Sequence, residues 1–182
     1  MKTFIALLRG INVSGHKIIP MAELRNALSE AGLLRVQTYI QSGNVIFDSE
    51  RRSKADLAKL INQNILKRFG HDVPILVIEP RTIEEILNTC PFEHEKKEKS
   101  YFTLLYRKPN PDQVKDLEKI SYPNEEFVID GSVIYYYCST GYGRAKWNNK
   151  LIERKLQTNA TSRNYRTMTK LLSLCNQRES HD

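Results

Sequence analysis

Apolar residues run unbroken from Phe4 to Leu8 between Thr3 and Arg9, which predicts a β-strand over Thr3–Arg9 covered on both faces. A loop with turn residues Gly10 and Gly15 leads to Pro20. Beyond it Met21, Leu24, Ala27, Leu28 and Ala31 share one face of a helix that stops at Gly32. Val36–Gln41 and Asn44–Asp48 are β-type runs either side of Ser42-Gly43, a hairpin signature. Ser53 is placed to cap a second helix, whose stripe is Leu57, Leu60, Ile61, Ile65 and Phe69 and whose stop is Gly70. A strand over Val73–Ile78 completes β-α-β-β-α-β, the split βαβ or ferredoxin-like unit, for which the sheet order 4-1-3-2 is expected.

The rest of the chain starts the pattern again. Thr82 and Glu85 have capping-box spacing ahead of Ile86 and Leu87. Glu93–Lys99 alternates in charge and reads as a connector. Tyr101–Arg107 is a strand, and Asn110-Pro111-Asp112 opens a helix with Asn as cap and Pro first. Phe127–Ile129 and Val133–Cys138 join through Asp130-Gly131 as a second hairpin. Helices are expected over Ala145–Leu156 and Arg163–Cys175, the latter capped by Thr161 or Ser162. The expected fold is therefore α+β: two ferredoxin-like halves, with antiparallel sheets covered by helices. Residues 1–79 form the first half, 80–99 a helix and connector, and 100–182 a β-α-β-β-α half with a terminal helix where a fourth strand would stand.

Charge adds an asymmetry. The 182 residues carry a net +7. Between Gly141 and Asp182 nine basic residues face three acidic ones, a net +6 that leaves +1 for the first 140 residues. Such clustering points to an anionic partner, against the plainer reading of a solvated helical face. No apolar run approaches the roughly 20 residues of a membrane helix. Arg9 also breaks the N-terminal stretch before it reaches a signal-peptide core. A cytoplasmic protein is expected. Cys90, Cys138 and Cys175 are far apart, with no paired spacing for a disulfide framework or zinc, and are read as reduced and mostly buried. His16, His71, His94 and His181 are scattered over loops and termini, and no metal site is expected.

Three strings carry a resemblance: Leu7–Gly15 (LLRGINVSG), Tyr39–Phe47 (YIQSGNVIF) and Ala160–Thr167 (ATSRNYRT). In this order, and spanning nearly the whole chain, they resemble an uncharacterised bacterial family, domain of unknown function 1697. The chain departs from the family's frequent Ser-Lys-Leu at Ala145-Lys146-Trp147, keeping only Lys146. The resemblance implies ferredoxin-like halves and no reaction.

The 4-1-3-2 order places the exit of the first strand and the first hairpin at one sheet edge, so that Arg9, Asn12, Ser42 and Asn44 converge. An arginine fork beside glycine N–H groups suits phosphate or carboxylate. Turn chemistry and a simple ion pair account for the same residues. Arg163, Asn164 and Thr167 open the expected last helix, where free N–H groups favour anions. A cap alone explains them too. Gly141–Lys146 has a phosphate-loop look without the Walker spacing. Tyr135-Tyr136-Tyr137 offers either a stacking surface for bases or ordinary strand packing. The carboxylate pairs Glu84-Glu85 and Glu125-Glu126 diverge from one another and are read as solvated. The leading functional expectation is anion or nucleic-acid binding through the basic C-terminal region. The rivals are a small-molecule enzyme for a phosphorylated or carboxylated metabolite, and a protein-interaction module. No cofactor, catalytic set or oligomeric state follows.

Overall fold

The computed structural model describes residues 1–51 and 53–179; His181 lies outside them. The chain divides into two compact units, one of Met1–Glu84 with the segment from Lys170 onward, the other of Glu85–Thr169.

The first unit contains β1 (Lys2–Leu8), α1 (Met21–Glu30), β2 (Leu34–Tyr39), β3 (Asn44–Ser49), α2 (Lys54–Phe69) and β4 (Ile75–Ile78). Its sheet is antiparallel in the order β2-β3-β1-β4, the 4-1-3-2 arrangement. Phe4, Ala6, Leu8, Val45 and Phe47 fill one face with Leu24 and Leu28 of α1 and Leu57, Ile61 and Ile65 of α2. Ile5, Leu7 and Ile46, on the alternate positions, are fully buried as well, which explains why β1 reads as an unbroken apolar run. Ser53 caps α2 through Asp56 N–H, and Gly70 ends it at φ 72°. Between Leu34 and Gln37 the β2–β3 register slips, so β2 carries a bulge.

A nine-residue helix α3 (Pro80–Asn88) runs from the first unit into the second. It starts two residues ahead of Thr82, with Thr82 N–H donating to Glu79 O at 3.0 Å, so Thr82 is inside the helix and not its cap. The second unit continues with α4 (His94–Glu98), β5 (Tyr101–Leu105), α5 (Pro111–Glu118), β6 (Glu125–Asp130), β7 (Val133–Cys138), a 3₁₀ turn over Tyr142–Arg144, α6 (Asn149–Leu156) and β8 (Ala160–Asn164). Its sheet, β6-β7-β5-β8, repeats the topology of the first. α7 (Tyr165–Glu179) closes the described chain, beginning in the second unit and passing into the first at Lys170.

Three expectations change here. The charged connector holds a short helix, α4, in which His94 Nδ1 lies 3.4 Å from Glu98 Oε1 at i,i+4 spacing. The helix expected from Ala145 starts at Asn149, because the Asn148 side chain accepts from Leu151 N–H at 3.1 Å and fixes the start there. The fourth strand of the second half exists. Ala160–Asn164 pairs with β5 from Leu105↔Ala160 to Tyr101↔Asn164, and the helix begins only at Tyr165. The pairing is sealed by a 2.7 Å hydroxyl contact between Thr103 and Ser162, so residues read as a helix cap belong to a ladder. Both units are complete βαββαβ folds.

The core of the second unit is aromatic. Tyr136 and Trp147 stack with ring centroids 6.2 Å apart, and Phe127 stacks on Trp147 at 3.9 Å. Tyr135 meets Phe102 edge-on, so Tyr135 and Tyr136 pack inside the unit, while Tyr137 is half-buried with its ring 6.4 Å from that of Phe92. Cys138 and Cys175 are buried, Cys90 is half-buried, and none of the three is in a disulfide among the described residues.

Candidate functional site

β1 and the first hairpin do meet at one edge: Leu8 N–H donates to Gly43 O at 2.8 Å. Asn12, in the left-handed region at φ 53°, uses its whole amide there. Its Nδ2 donates to Ile19 O (3.0 Å) and Gln41 O (2.9 Å), and its Oδ1 accepts from Ile19 N–H (2.8 Å). Asn44 is fully buried and donates through Nδ2 to Tyr39 O and to Ser42 Oγ, both at 3.0 Å. Arg9 is half-buried, with its backbone N–H donating to Pro74 O, and Ser42 is exposed. The two asparagines thus hold the Gly10–Pro20 loop onto the hairpin.

Arg163, Asn164 and Thr167 belong to the second unit. Arg163 lies on β8, 8% exposed, and its Nη1 donates to Thr161 Oγ1 and Ser162 O, each at 2.9 Å. Burial pulls its guanidinium from 12.5 down to about 10, with Tyr106 acting the other way. Asn164 caps α7, its Oδ1 accepting from Thr167 N–H at 2.8 Å. Thr167 is buried.

A different set of residues in the second unit makes an open, charged surface. Tyr122, Lys146, Asn148, Lys150, Leu151 and Arg154 line a hollow of about 400 Å³. Trp147 explains how they are presented. Its indole is buried in the aromatic stack, so Lys146 and Asn148 on either side of it face outward. The segment is held by Glu125, expected to be solvated. Its carboxylate accepts from Lys146 N–H (2.8 Å), Trp147 N–H (3.0 Å) and Tyr136 Oη–H (3.0 Å). Burial and this carboxylate push the Tyr136 hydroxyl far above the usual tyrosine range. Glu153 is also turned to an internal bond, accepting from Ala160 N–H at 3.0 Å. The lining therefore contains three cations and no acid. Lys146 Nζ sits 5.6 Å from the Tyr122 ring centroid, within cation–π range. Lys150 and Arg154 stand one turn apart on the same face of α6. The basic residues were legible as a cluster. Tyr122, which lies 24 positions ahead of Lys146, carried no signal of its own.

Among the described residues no group of three His, Cys, Asp or Glu side chains can hold a metal. No described helix is long and apolar enough to cross a membrane.

The chain belongs to the family described as "Protein of unknown function (DUF1697)", whose model matches residues 1–135. It is similar to the conserved bacterial protein SP0830 from Streptococcus pneumoniae, at 25% identity over 95% of this chain and 98% of that one, with a TM-score of 0.76. No curated protein matches it. The match to the family ends within β7, ahead of both the basic hollow and the Ala160–Thr167 motif.

Proposed function

We propose that this member of the DUF1697 family binds single-stranded nucleic acid through the basic hollow of its second unit. The observation that carries the reading is the lining itself: Lys146, Lys150 and Arg154 beside the Tyr122 ring, with no carboxylate among them. Lys150 and Arg154 are about 6 Å apart along the helix axis, on the order of two nucleotide steps of a strand. The half-buried Tyr122 ring gives a flat surface on which a base can stack, which any base satisfies. The arrangement thus suits a phosphate backbone with little sequence preference.

The test is fluorescence anisotropy of a labelled oligonucleotide as a function of salt. Three phosphate contacts to a single strand give a log–log slope near −2, so affinity is expected to fall about 20-fold between 50 and 200 mM salt. Lys146→Ala/Lys150→Ala/Arg154→Ala is expected to remove that dependence together with the binding. A labelled duplex is expected to bind more weakly, because its bases are not free to reach Tyr122. Absence of binding at 50 mM salt, a flat salt profile, or an unchanged profile in the triple variant would each overturn the proposal.

A further inference from the structure

One edge of the second sheet is open. β6 stands outermost in the order β6-β7-β5-β8, and its register against β7 runs unbroken from Glu125↔Cys138 to Asp130↔Val133. Ser139 N–H donates to Asn124 O at 3.0 Å, which makes Asn124 and Ser139 a hydrogen-bonded pair. Bonded and non-bonded pairs alternate along an antiparallel ladder. Glu126, Val128 and Asp130 therefore spend their N–H and C=O groups on β7, while Phe127 and Ile129 turn theirs outward from the sheet. Edges of this kind are usually blunted, and two others in the molecule are. β8 is largely buried and runs straight into α7. β2 slips in register at Arg35, whose side chain bonds buried Asp48 and whose carbonyl accepts from Arg178 Nη2 at 2.7 Å.

A hollow of about 400 Å³ follows the β6 edge. It is walled from both faces of the sheet. Glu126 and Val128 line it from the face of Tyr137 and Phe92. Ile120 and Phe127 line it from the face of the aromatic core. A space walled by both faces lies over the edge itself, where an added strand would run. Val128 is 40% exposed there.

Charge selects the occupant. Glu118, Glu125 and Glu126 line the hollow with no cation beside them in the lining, and exposed Asp130 extends the series along β6. Lys96 of α4 reaches Glu126 at 2.9 and 3.1 Å, and Lys119 is turned to Asp116 at 2.7 Å. Glu125 holds its own unit together. Two exposed carboxylates, Glu118 and Asp130, are left facing outward. A second copy of β6 is a poor occupant. Centred on Val128, it sets Glu126 against Asp130 at both ends, which Lys96 relieves only in part. Shifted to centre on Phe127, it sets Val128 against Glu126. Six paired residues also fall short of the roughly 1,200 Å² of a stable interface.

We propose that β6 is a docking edge for an extended cationic segment of a partner polypeptide. The segment adds antiparallel, with an apolar residue opposite Val128 and a Lys or Arg two positions to either side, opposite Glu126 and Asp130. The proposal does not rest on the nucleic-acid reading of the basic hollow.

The experiment titrates the ¹⁵N-labelled full chain with the acetylated, amidated peptide Ser-Lys-Thr-Val-Thr-Lys-Ser at constant ionic strength. Saturable shifts are expected at the Phe127, Val128 and Ile129 amides. N-methylation of both Thr residues removes the donors that face Phe127 and Ile129, and is expected to abolish binding; N-methylation of Val, whose N–H faces away, is expected to spare it. Glu126→Gln/Asp130→Asn, a change at two exposed positions, is expected to weaken the peptide about ten-fold and to remove its preference over the same peptide with Glu in place of Lys. Absence of saturable shifts on β6, equal binding of the Glu peptide by the parent chain, or full binding of the Thr-methylated peptide would each overturn the proposal. So would β6 shifts that appear on raising the protein concentration without peptide, which would make the occupant a second copy.

Discussion

The first unit turns its hairpin through Ile40–Gly43, the second through Gly131 and Ser132, although the two sheets have the same strand order. In the first, Ile40 is left-handed at φ 49°, Gly43 at φ 78°, and the Asn44 amide is buried beneath them. A Cβ on Gly43 would lie 2.6 Å from Leu8 Cβ and 3.0 Å from Ile11 Cδ1. In the second, Gly131 has φ 56° and nothing within 4 Å of where a Cβ would stand. One topology therefore contains two different turns. The first is close-packed, strained and tied down by asparagine side chains. The second is an open turn whose only demand is a left-handed residue. Asn12 and Asn44 near the first are consumed in holding it, while Lys146, Lys150 and Arg154 of the second unit line an open hollow.

The sharpest way to break this contrast is to add one methyl group to each turn. Gly43→Ala combines the left-handed penalty with a collision against β1, and is expected to destabilise the first unit by about 3 kcal/mol or more. Gly131→Ala meets only the conformational penalty, about 1 kcal/mol. Urea denaturation of both variants reads the difference; equal losses would mean the close approach of Gly43 to Leu8 is easily relieved.

The contrast also marks where the sequence stops being informative. Element order was legible because burial imposes its period directly: Phe4–Leu8 is apolar since both faces of β1 are covered, and the α2 stripe recurs at helical spacing. β8 was hidden because Thr161, Ser162, Arg163 and Asn164 are polar and follow a helix. Their strand state comes from a partner about 60 positions earlier, which no local pattern records. Topology brings the exit of β1 to the first hairpin, where Leu8 N–H meets Gly43 O and the Asn12 side chain meets Gln41. The use of Asn12 and Asn44 there depends on the carbonyls of Ile19, Tyr39 and Gln41, which are set by loop geometry. The Asp48–Arg35 pair needs a bulge, and the Tyr122–Lys146 pair needs Glu125 to hold the intervening segment; neither leaves a trace in composition.

A middle-sized effect is expected from Asn12→Ala. The change leaves the N–H of fully buried Ile19 without its acceptor and frees the loop from Gln41. A loss of about 2 kcal/mol follows from one unsatisfied buried donor together with the lost amide bonds. Faster hydrogen exchange of the Ile19 amide should accompany it. A variant as stable as the parent would show that Asn12 is not holding the loop, and would return it to the set of candidate ligand residues.

The smallest effect tests the other half of the comparison, that the cations of the second unit are not there for stability. Lys150 and Arg154 are exposed like charges at i,i+4, which costs a few tenths of a kcal/mol, and Lys150 stands in the first turn of α6, where a positive charge opposes the helix dipole. Lys150→Glu reverses both terms: a glutamate four residues ahead of Arg154 is in the favourable orientation, and its charge suits the N-terminal turn. The second unit is expected to gain about 0.5–1 kcal/mol, small but resolvable as a shifted denaturation midpoint. The same substitution is expected to abolish the salt-dependent binding of an oligonucleotide. Stability and binding moving in opposite directions from one residue would identify the hollow as a surface maintained against its own folding energy. A loss of stability would instead make Lys150 part of the fold, in the way that Asn12 and Asn44 are part of the first.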